Sequence, residues 1–210
     1  MKQRNKLPRS FYANSNVLIV AEQLLGKILC TNINKQITKA IITEVEAYCG
    51  RTDEGCHAYP NKKTKRTEVM YGPGGYAYVY ICYGIHTMLN IVTNTTGLAN
   101  CILIRAVEPI EGKQYTQQRR KLKNYNYKIA TGPGCVGQAM GINLTHYGAD
   151  LCGNIIWIED ATNLTKKEIG ISQRIGMNFD GPDKYLPWRF FIKNNQWVSR
   201  LRASDKMPEN

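Results

Sequence analysis

The chain has no run of about 18 apolar residues, so no membrane-spanning helix is expected. Its basic N-terminal stretch has no apolar segment and no small-residue cleavage site of the secretory kind, so the expected location is cytoplasmic. Seven cysteines is an odd number for a disulfide framework. No CxxC pair occurs. Cys49 and Cys56 are separated by six residues with no second ligand pair, so no metal site is expected. Cys82 and Cys101 lie in apolar runs and read as small core residues. Thr131-Gly132-Pro133-Gly134 is followed by no Gly-Lys-Ser/Thr, which excludes a Walker-type nucleotide loop. Internal repeats and interdomain linkers are absent. Acidic residues are scarce. Sixteen Asp and Glu stand against 28 Lys and Arg, and the net charge of +12 favours a polyanionic partner, nucleic acid or an anionic membrane.

What is present suits one folded unit. A length of 210 residues and a hydrophobic share of 43% support a single core. Residues 1–10, with Lys2, Arg4, Lys6 and Arg9, read as a flexible basic arm, 11–202 as the domain, and 203–210 as a polar tail. Val17, Val20, Ala21, Leu24 and Leu25 recur at helical spacing, with N-cap choices in Asn14-Ser15-Asn16 and Gly26 to close the helix. Lys27–Cys30 and Ile37–Tyr48 read as a hairpin turning through Asn32-Ile33-Asn34-Lys35.

The stretch Ile42-Thr43-Glu44-Val45-Glu46-Ala47-Tyr48 organises the rest. In a regular strand Ile42, Glu44, Glu46 and Tyr48 face one way, and Thr43, Val45 and Ala47 the other. This is either a half-exposed strand whose glutamates meet lysines, or a carboxylate beside an aromatic on the wall of a site. Two carboxylates two residues apart sit on the same side of a sugar rather than flanking it. Glu44 therefore reads as structural.

A polar loop, Cys49–Arg66, follows, with Asp53, Glu54, His57 and the cluster Lys62, Lys63, Lys65 and Arg66. The cluster suits phosphate contacts or a solvated face. Tyr76–Cys82 and Ile85–Val92 read as a second hairpin, with Tyr76, Tyr78 and Tyr80 on one face and Tyr83-Gly84 at its tip. That set is either ordinary strand composition or a platform for flat rings. In the strand Cys101–Val107, Arg105 interrupts an apolar run. A buried guanidinium is costly unless paired, so Arg105 is expected to meet a carboxylate or a phosphate. Glu108-Pro109 is expected to end that strand, and Glu111–Leu122 to form a basic helix. A short helix after Gly132-Pro133-Gly134 is either a plain helix start or a phosphate seat. Ile155–Ile158 and Trp188–Ile192 are late strands, the second closing the sheet.

In this order the pieces resemble the alkyladenine (3-methyladenine, methylpurine) DNA glycosylase family. The matching segments are Glu44-Val45-Glu46-Ala47-Tyr48, His57, Tyr78-Val79-Tyr80-Ile81-Cys82-Tyr83-Gly84, Asn90, Cys101-Ile102-Leu103-Ile104-Arg105-Ala106, Glu108-Pro109, Gly132-Pro133-Gly134, Arg174-Ile175-Gly176 and Pro187-Trp188-Arg189-Phe190. They run from about residue 15 to residue 200, and the ordered set is far more specific than any one motif.

The resemblance implies a single α+β domain: a curved, largely antiparallel β-sheet with few helices and a protruding β-hairpin that intercalates into DNA. It implies a monomeric enzyme acting on double-stranded DNA with a damaged purine, by hydrolysis of the glycosidic bond of a flipped nucleotide. Glu46 is then the general base for a catalytic water, with Arg105 beside it. Tyr48, Tyr80 and His57 hold the base, and Asn90 crowds the guanine 2-amino group. Met177 takes an apolar position near the water where a small aliphatic residue is usual. Tyr83 is the wedge, and the lysine cluster touches phosphates. Neither cofactor nor metal is implied. With no lysine in the matched positions, the expected chemistry is monofunctional. Two other classes share the composition. A noncatalytic nucleic-acid-binding protein explains the charge and the tyrosines but not Glu46. A small-molecule nucleoside hydrolase explains Glu46 but not the charge or Tyr83.

Overall fold

A computed structural model describes residues 5–200. A single turn, α1 (Arg9–Tyr12), precedes α2 (Val17–Leu24). The Asn16 side chain caps α2 by accepting the Leu18 amide at 3.0 Å, and Val17, Val20, Ala21 and Leu24 are its buried face. Of the expected basic arm, residues 1–4 lie outside the described residues. The remainder is fastened rather than free. The Leu7 amide donates to the Ile158 carbonyl at 2.8 Å, and the Arg9 guanidinium reaches Asp150 at 2.6 Å and the carbonyls of Gly74 and Gly75 at 3.0 Å. The expected polar tail, 203–210, lies outside the described residues.

The strands are β1 (Ile28–Ile33), β2 (Gln36–Cys49), β3 (Ala77–Cys82), β4 (His86–Thr93), β5 (Asn100–Glu111), β6 (Ile156–Glu159), β7 (Ile169–Ser172) and β8 (Arg189–Ile192). They form one antiparallel, curled sheet of order β3-β4-β5-β2-β1-β6, with β8 pairing both β2 and β7. Two further helices, α3 (Lys113–Arg120) and α4 (Pro133–Ala139), complete an α+β domain.

Strand β2 is the spine. It pairs with β5 along one edge, and with β1 and then β8 along the other. Its turn from β1 is the pair Asn34-Lys35, both left-handed at φ 54° and 60°, a geometry that matches the twist of adjoining strands. The four-residue turn expected at 32–35 is therefore shorter, and β1 runs on to Ile33.

Two other boundaries differ from expectation. β5 does not end before Glu108-Pro109 but runs to Glu111. Pro109 is tolerated because β4 pairs only with Asn100–Leu103, so β5 has one neighbour there. The following helix therefore starts late, after a turn at Gly112, and is Lys113–Arg120 rather than Glu111–Leu122.

The β2/β5 ladder also slips. Ile42 faces Val107, Glu44 faces Ala106, and Val45 faces Ile104, so Thr43 and Arg105 both drop out of register. Such bulges reorient side chains. Ile42 joins Val45 and Ala47 in the main core, not the face of Glu44 and Glu46 on which the regular-strand pattern places it.

That core lies between one face of the sheet and α2 and α4. It includes Val79, Leu89, Ile91, Ile102, Ile104, Leu24, Val136 and Met140, all buried. Fully burying one such side chain contributes about 1.5–3 kcal/mol. A smaller cluster on the opposite face, with Cys56, Ala58, Met70, Tyr78 and Cys101, seats the loop after β2 over the sheet.

Candidate active site

The strand register decides which side chains meet. Tyr78 on β3 faces Asn90 on β4, Asn90 faces Leu103 on β5, and Leu103 faces Glu46 on β2. All four stand on the sheet face turned away from α2 and α4. They line a cleft of about 650 Å³ whose other walls are the loop of Gly55–His57, residues 131–135 and residues 175–179. The cleft thus brings together Glu46, Arg105, Tyr48, His57, Tyr80, Asn90, Met177 and Tyr83.

Glu46 is fully buried at the edge of this cleft, and both of its oxygens are held. Oε1 accepts the Ile175 amide at 2.7 Å. Oε2 accepts the Tyr48 hydroxyl at 2.8 Å and Arg105 Nη1 at 3.1 Å. Slippage of the ladder at Arg105 lets one guanidinium span two glutamates, because its Nε also donates to Glu44 Oε1 at 2.9 Å. The expected partner of Arg105 is thus a pair of carboxylates. Burial lowers the Arg105 pKa, but Glu46 and Glu44 more than compensate, and the guanidinium stays cationic.

Glu44 stands behind this pair, out of the cleft. It accepts Arg189 Nε at 2.8 Å and the Ser199 amide at 2.6 Å as well as Arg105. Burial pushes its pKa up, yet Arg105, Arg189 and the Ser199 amide together hold it below the ordinary carboxylate range. A third carboxylate, Asp53, pairs with Arg174 at 2.6 Å, and neither side chain has any exposure. Three carboxylates and three guanidinia therefore balance in charge at the cleft wall and behind it.

The aromatic wall is built from the second hairpin. Tyr78 and Tyr80 stack with centroids 5.4 Å apart, and His57 meets Tyr80 edge-on at 4.7 Å. His57 Nδ1 is 2.8 Å from the Tyr78 hydroxyl, and Nε2 is 3.3 Å from Arg66 Nη2. Arginine can only donate, so Nε2 accepts and Nδ1 carries the proton that goes to Tyr78. Burial, then the charge of Arg66, pushes the His57 pKa down to about 4, so the ring is neutral at pH 7. Burial raises the Tyr48 pKa well above its ordinary value, with Glu46 adding to it, which keeps that hydroxyl a donor. Asn90 is fixed by its own amide, which donates to the Tyr78 carbonyl at 3.2 Å. Met177 lies against Tyr48, its sulfur 3.8 Å from the hydroxyl. Its methyl is 2.5 Å from where a Cβ on Gly55 would be, so Gly55 makes room for it.

Tyr83 is at the cleft's rim. It is 82% exposed, at φ 51° in the three-residue tip between the paired Cys82 and His86, with Ile85 beside it 76% exposed. Lys62, Lys63, Lys65 and Arg66 are all exposed on the loop outside the cleft lining, with the Arg66 guanidinium 4.9 Å from the Tyr80 ring.

Several members of the site carry no role in the sequence reading: Tyr78 as the partner of His57, Asp53, Arg174, Arg189, the Ile175 amide, and His86 on the cleft wall. Tyr78 shares the parity of Tyr80, and Arg189 opens an apolar strand much as Arg105 interrupts one, so both had a readable signal. The Asp53–Arg174 pairing spans 121 residues and had none. Among the described residues no group of three His, Cys, Asp or Glu could hold a metal ion. No helix there is long and apolar enough to cross a membrane.

The arrangement offers one carboxylate with fixed orientation beside flat aromatic walls, with Asn90 and Met177 on the cleft lining. The family model described as methylpurine-DNA glycosylase matches residues 10–196. A protein of Alkaliphilus oremlandii named "Putative 3-methyladenine DNA glycosylase" is 42% identical over 202 residues, covering 93% of this chain and 99% of the relative. Proteins of the same name are each 40% identical in Chlorobaculum tepidum (94% of this chain, 92% of the relative) and Clostridium acetobutylicum (94% and 98%).

Proposed function

The chain belongs to the methylpurine-DNA glycosylase family, and we propose that it releases alkylated and deaminated purines from nucleotides flipped out of duplex DNA. At the coarser level it is a hydrolase of N-glycosyl bonds in DNA, serving base excision repair. The proposal concerns the substrate range, the class of 3-methyladenine, 7-methylguanine, hypoxanthine and ethenoadenine, and how the site handles it.

In this reading Glu46 takes a proton from a water that attacks C1′ as the bond to the purine breaks. The observation that carries it is the double anchoring of Glu46: Ile175 on one oxygen, Tyr48 and Arg105 on the other. A base held in place loses no rate to reorientation. The flipped purine lies between Tyr48 and the Tyr80–His57 wall. An electron-poor, cationic ring is favoured there by stacking and cation–π attraction. Asn90, locked to the Tyr78 carbonyl, crowds the edge where guanine carries its 2-amino group. Tyr83 fills the gap in the stack, where unpairing costs a few kcal/mol. Among the described residues no lysine lines the cleft, which supports hydrolysis without a Schiff base and without strand cutting.

The test is base release from two labelled duplexes, one with a single hypoxanthine and one randomly methylated. Each product is split with and without alkali, for wild type and Glu46→Gln. Alkali-dependent cleavage by wild type alone is the expected result. Near-wild-type excision by Glu46→Gln would remove Glu46 from the role of base. Wild-type release that barely responds to salt would point to small-molecule chemistry instead.

A further inference from the structure

Arg174 lies in no regular element, yet both of its terminal nitrogens are doubly held, while its buried Nε has no hydrogen-bond partner. Its Nη1 donates to Asp53 Oδ2 at 2.6 Å and to the Ala47 carbonyl at 3.2 Å. Its Nη2 donates to Asp53 Oδ1 at 2.8 Å and to the Asp183 carbonyl at 2.9 Å. The guanidinium lies 4.7 Å from the Tyr48 ring and 5.5 Å from that of Trp188. Asp53 is in turn fixed by the amide of Gly55 at 2.8 Å. A wholly buried ion pair is weak evidence for stability, since apolar residues of similar size often do as well. Its position is more informative.

Glu46 has two oxygens, and Arg174 holds a partner of each. Ile175, the next residue, supplies the amide on Oε1. Tyr48, under the guanidinium, supplies the hydroxyl on Oε2. The carbonyl taken by Nη1 belongs to Ala47, which lies between Glu46 and Tyr48 in the chain. Asp53 meanwhile ties Arg174 to the loop that brings His57 to the opposite wall.

We propose that Arg174, clamped by Asp53, is a positioning residue for base release. It sets the orientation of the Glu46 carboxylate through the Ile175 amide and the Tyr48 hydroxyl. It touches no reacting atom. The proposal rests on Glu46 as the base. A displacement of about 1 Å at a reacting group costs on the order of 100-fold in rate.

The experiment is single-turnover release from the randomly methylated duplex with enzyme in excess, counted per folded molecule by circular dichroism. Arg174→Lys keeps the charge and loses the two-pronged grip. It is expected to slow release about 10- to 100-fold while duplex affinity stays within about 3-fold. In a Glu46→Gln background it is expected to add no further loss, because the group being positioned is already gone. Wild-type rate in Arg174→Lys, or a full additional loss on top of Glu46→Gln, would overturn the proposal. Should Arg174→Lys not fold, Asp53→Asn carries the same test with the shape retained. Independently, the Ile175 amide proton of the wild type is expected far downfield, returning toward ordinary values in Glu46→Gln. An unmoved Ile175 resonance would also sink the proposal. Absence of any release by wild type would remove the proposed function, and the clamp with it. Wild-type release together with an unimpaired Arg174→Lys would remove the clamp alone.

Discussion

Replacing Glu44 by glutamine separates the stabilising half of the buried charge cluster from the half that borders the cleft. Glu44 Oε1 lies 2.9 Å from Arg105 Nε and 2.8 Å from Arg189 Nε, and Oε2 lies 2.6 Å from the Ser199 amide. With charge centres about 4 Å apart and an effective dielectric constant of about 20, each guanidinium contributes roughly 4 kcal/mol. Burying the carboxylate costs several kcal/mol against that gross figure. Removing one member of a buried pair costs about 3–5 kcal/mol, because the partners stay buried and uncompensated. Glutamine keeps one accepting oxygen, so the expected loss lies near the lower bound, about 3 kcal/mol.

A domain with about 5–15 kcal/mol in total survives this, measurably weakened. Because the folded state holds the Glu44 carboxyl below its ordinary value of 4.5, it binds fewer protons there than the unfolded chain does. The stabilisation is therefore complete above about pH 4.5 and is lost as pH falls through the lower folded value. Urea unfolding followed by circular dichroism should show a gap at pH 7 that closes toward acid. Base release per folded molecule should stay within a few-fold of wild type, since Glu46 keeps its Ile175 and Tyr48 donors. A loss under about 1 kcal/mol at pH 7, or a gap that persists unchanged below pH 4, would refute this account of the cluster.

Three further outcomes are expected. Tyr83→Ser should leave the unfolding curve unchanged, since the ring is solvent-exposed. It should weaken lesion-duplex binding by Glu46→Gln enzyme about 10- to 100-fold, and equal affinity would make Tyr83 a plain turn residue. His57 has a folded pKa of about 4 against an ordinary 6.5, so between those values the unfolded chain takes up a proton that the folded one refuses. Stability should accordingly decline as pH falls from about 6.5 to about 4, and less so in His57→Gln. Imidazole NMR should find His57 neutral at pH 5.5, and a midpoint near 6.5 would contradict the burial argument. At Gly137 a Cβ would come within 2.2 Å of the Thr87 carbonyl, where α4 crosses β4. Gly137→Ala should cost about 1–3 kcal/mol by forcing them apart, and an unchanged melting temperature would show that α4 yields freely.

Some of this was readable because the signal is local. Helix α2 follows from one cap and one apolar stripe, and the tip at Tyr83-Gly84 from a break in strand alternation. Arg105 declared its need for a partner simply by interrupting an apolar strand. Boundaries were less legible where a neighbour decides them. Pro109 stays in β5 only because β4 has already ended, and no local preference records that.

The site divides the same way. Chain order and residue type determined the family, and alternation set Glu46 and Tyr48 on one face of their strand, because alternation along a strand is a property of the strand itself. The tertiary structure decided everything that depends on register between distant strands. The slip at Thr43 and Arg105 sends Ile42 to the core and gives one guanidinium two glutamates. Pairing across four strands sets Tyr78, Asn90, Leu103 and Glu46 in a row. The loop carrying Ile175 reaches Glu46 across 129 residues of sequence. The sequence states that a buried charge needs a partner; only the packed chain determines which of several carboxylates and arginines comes within hydrogen-bond reach of it.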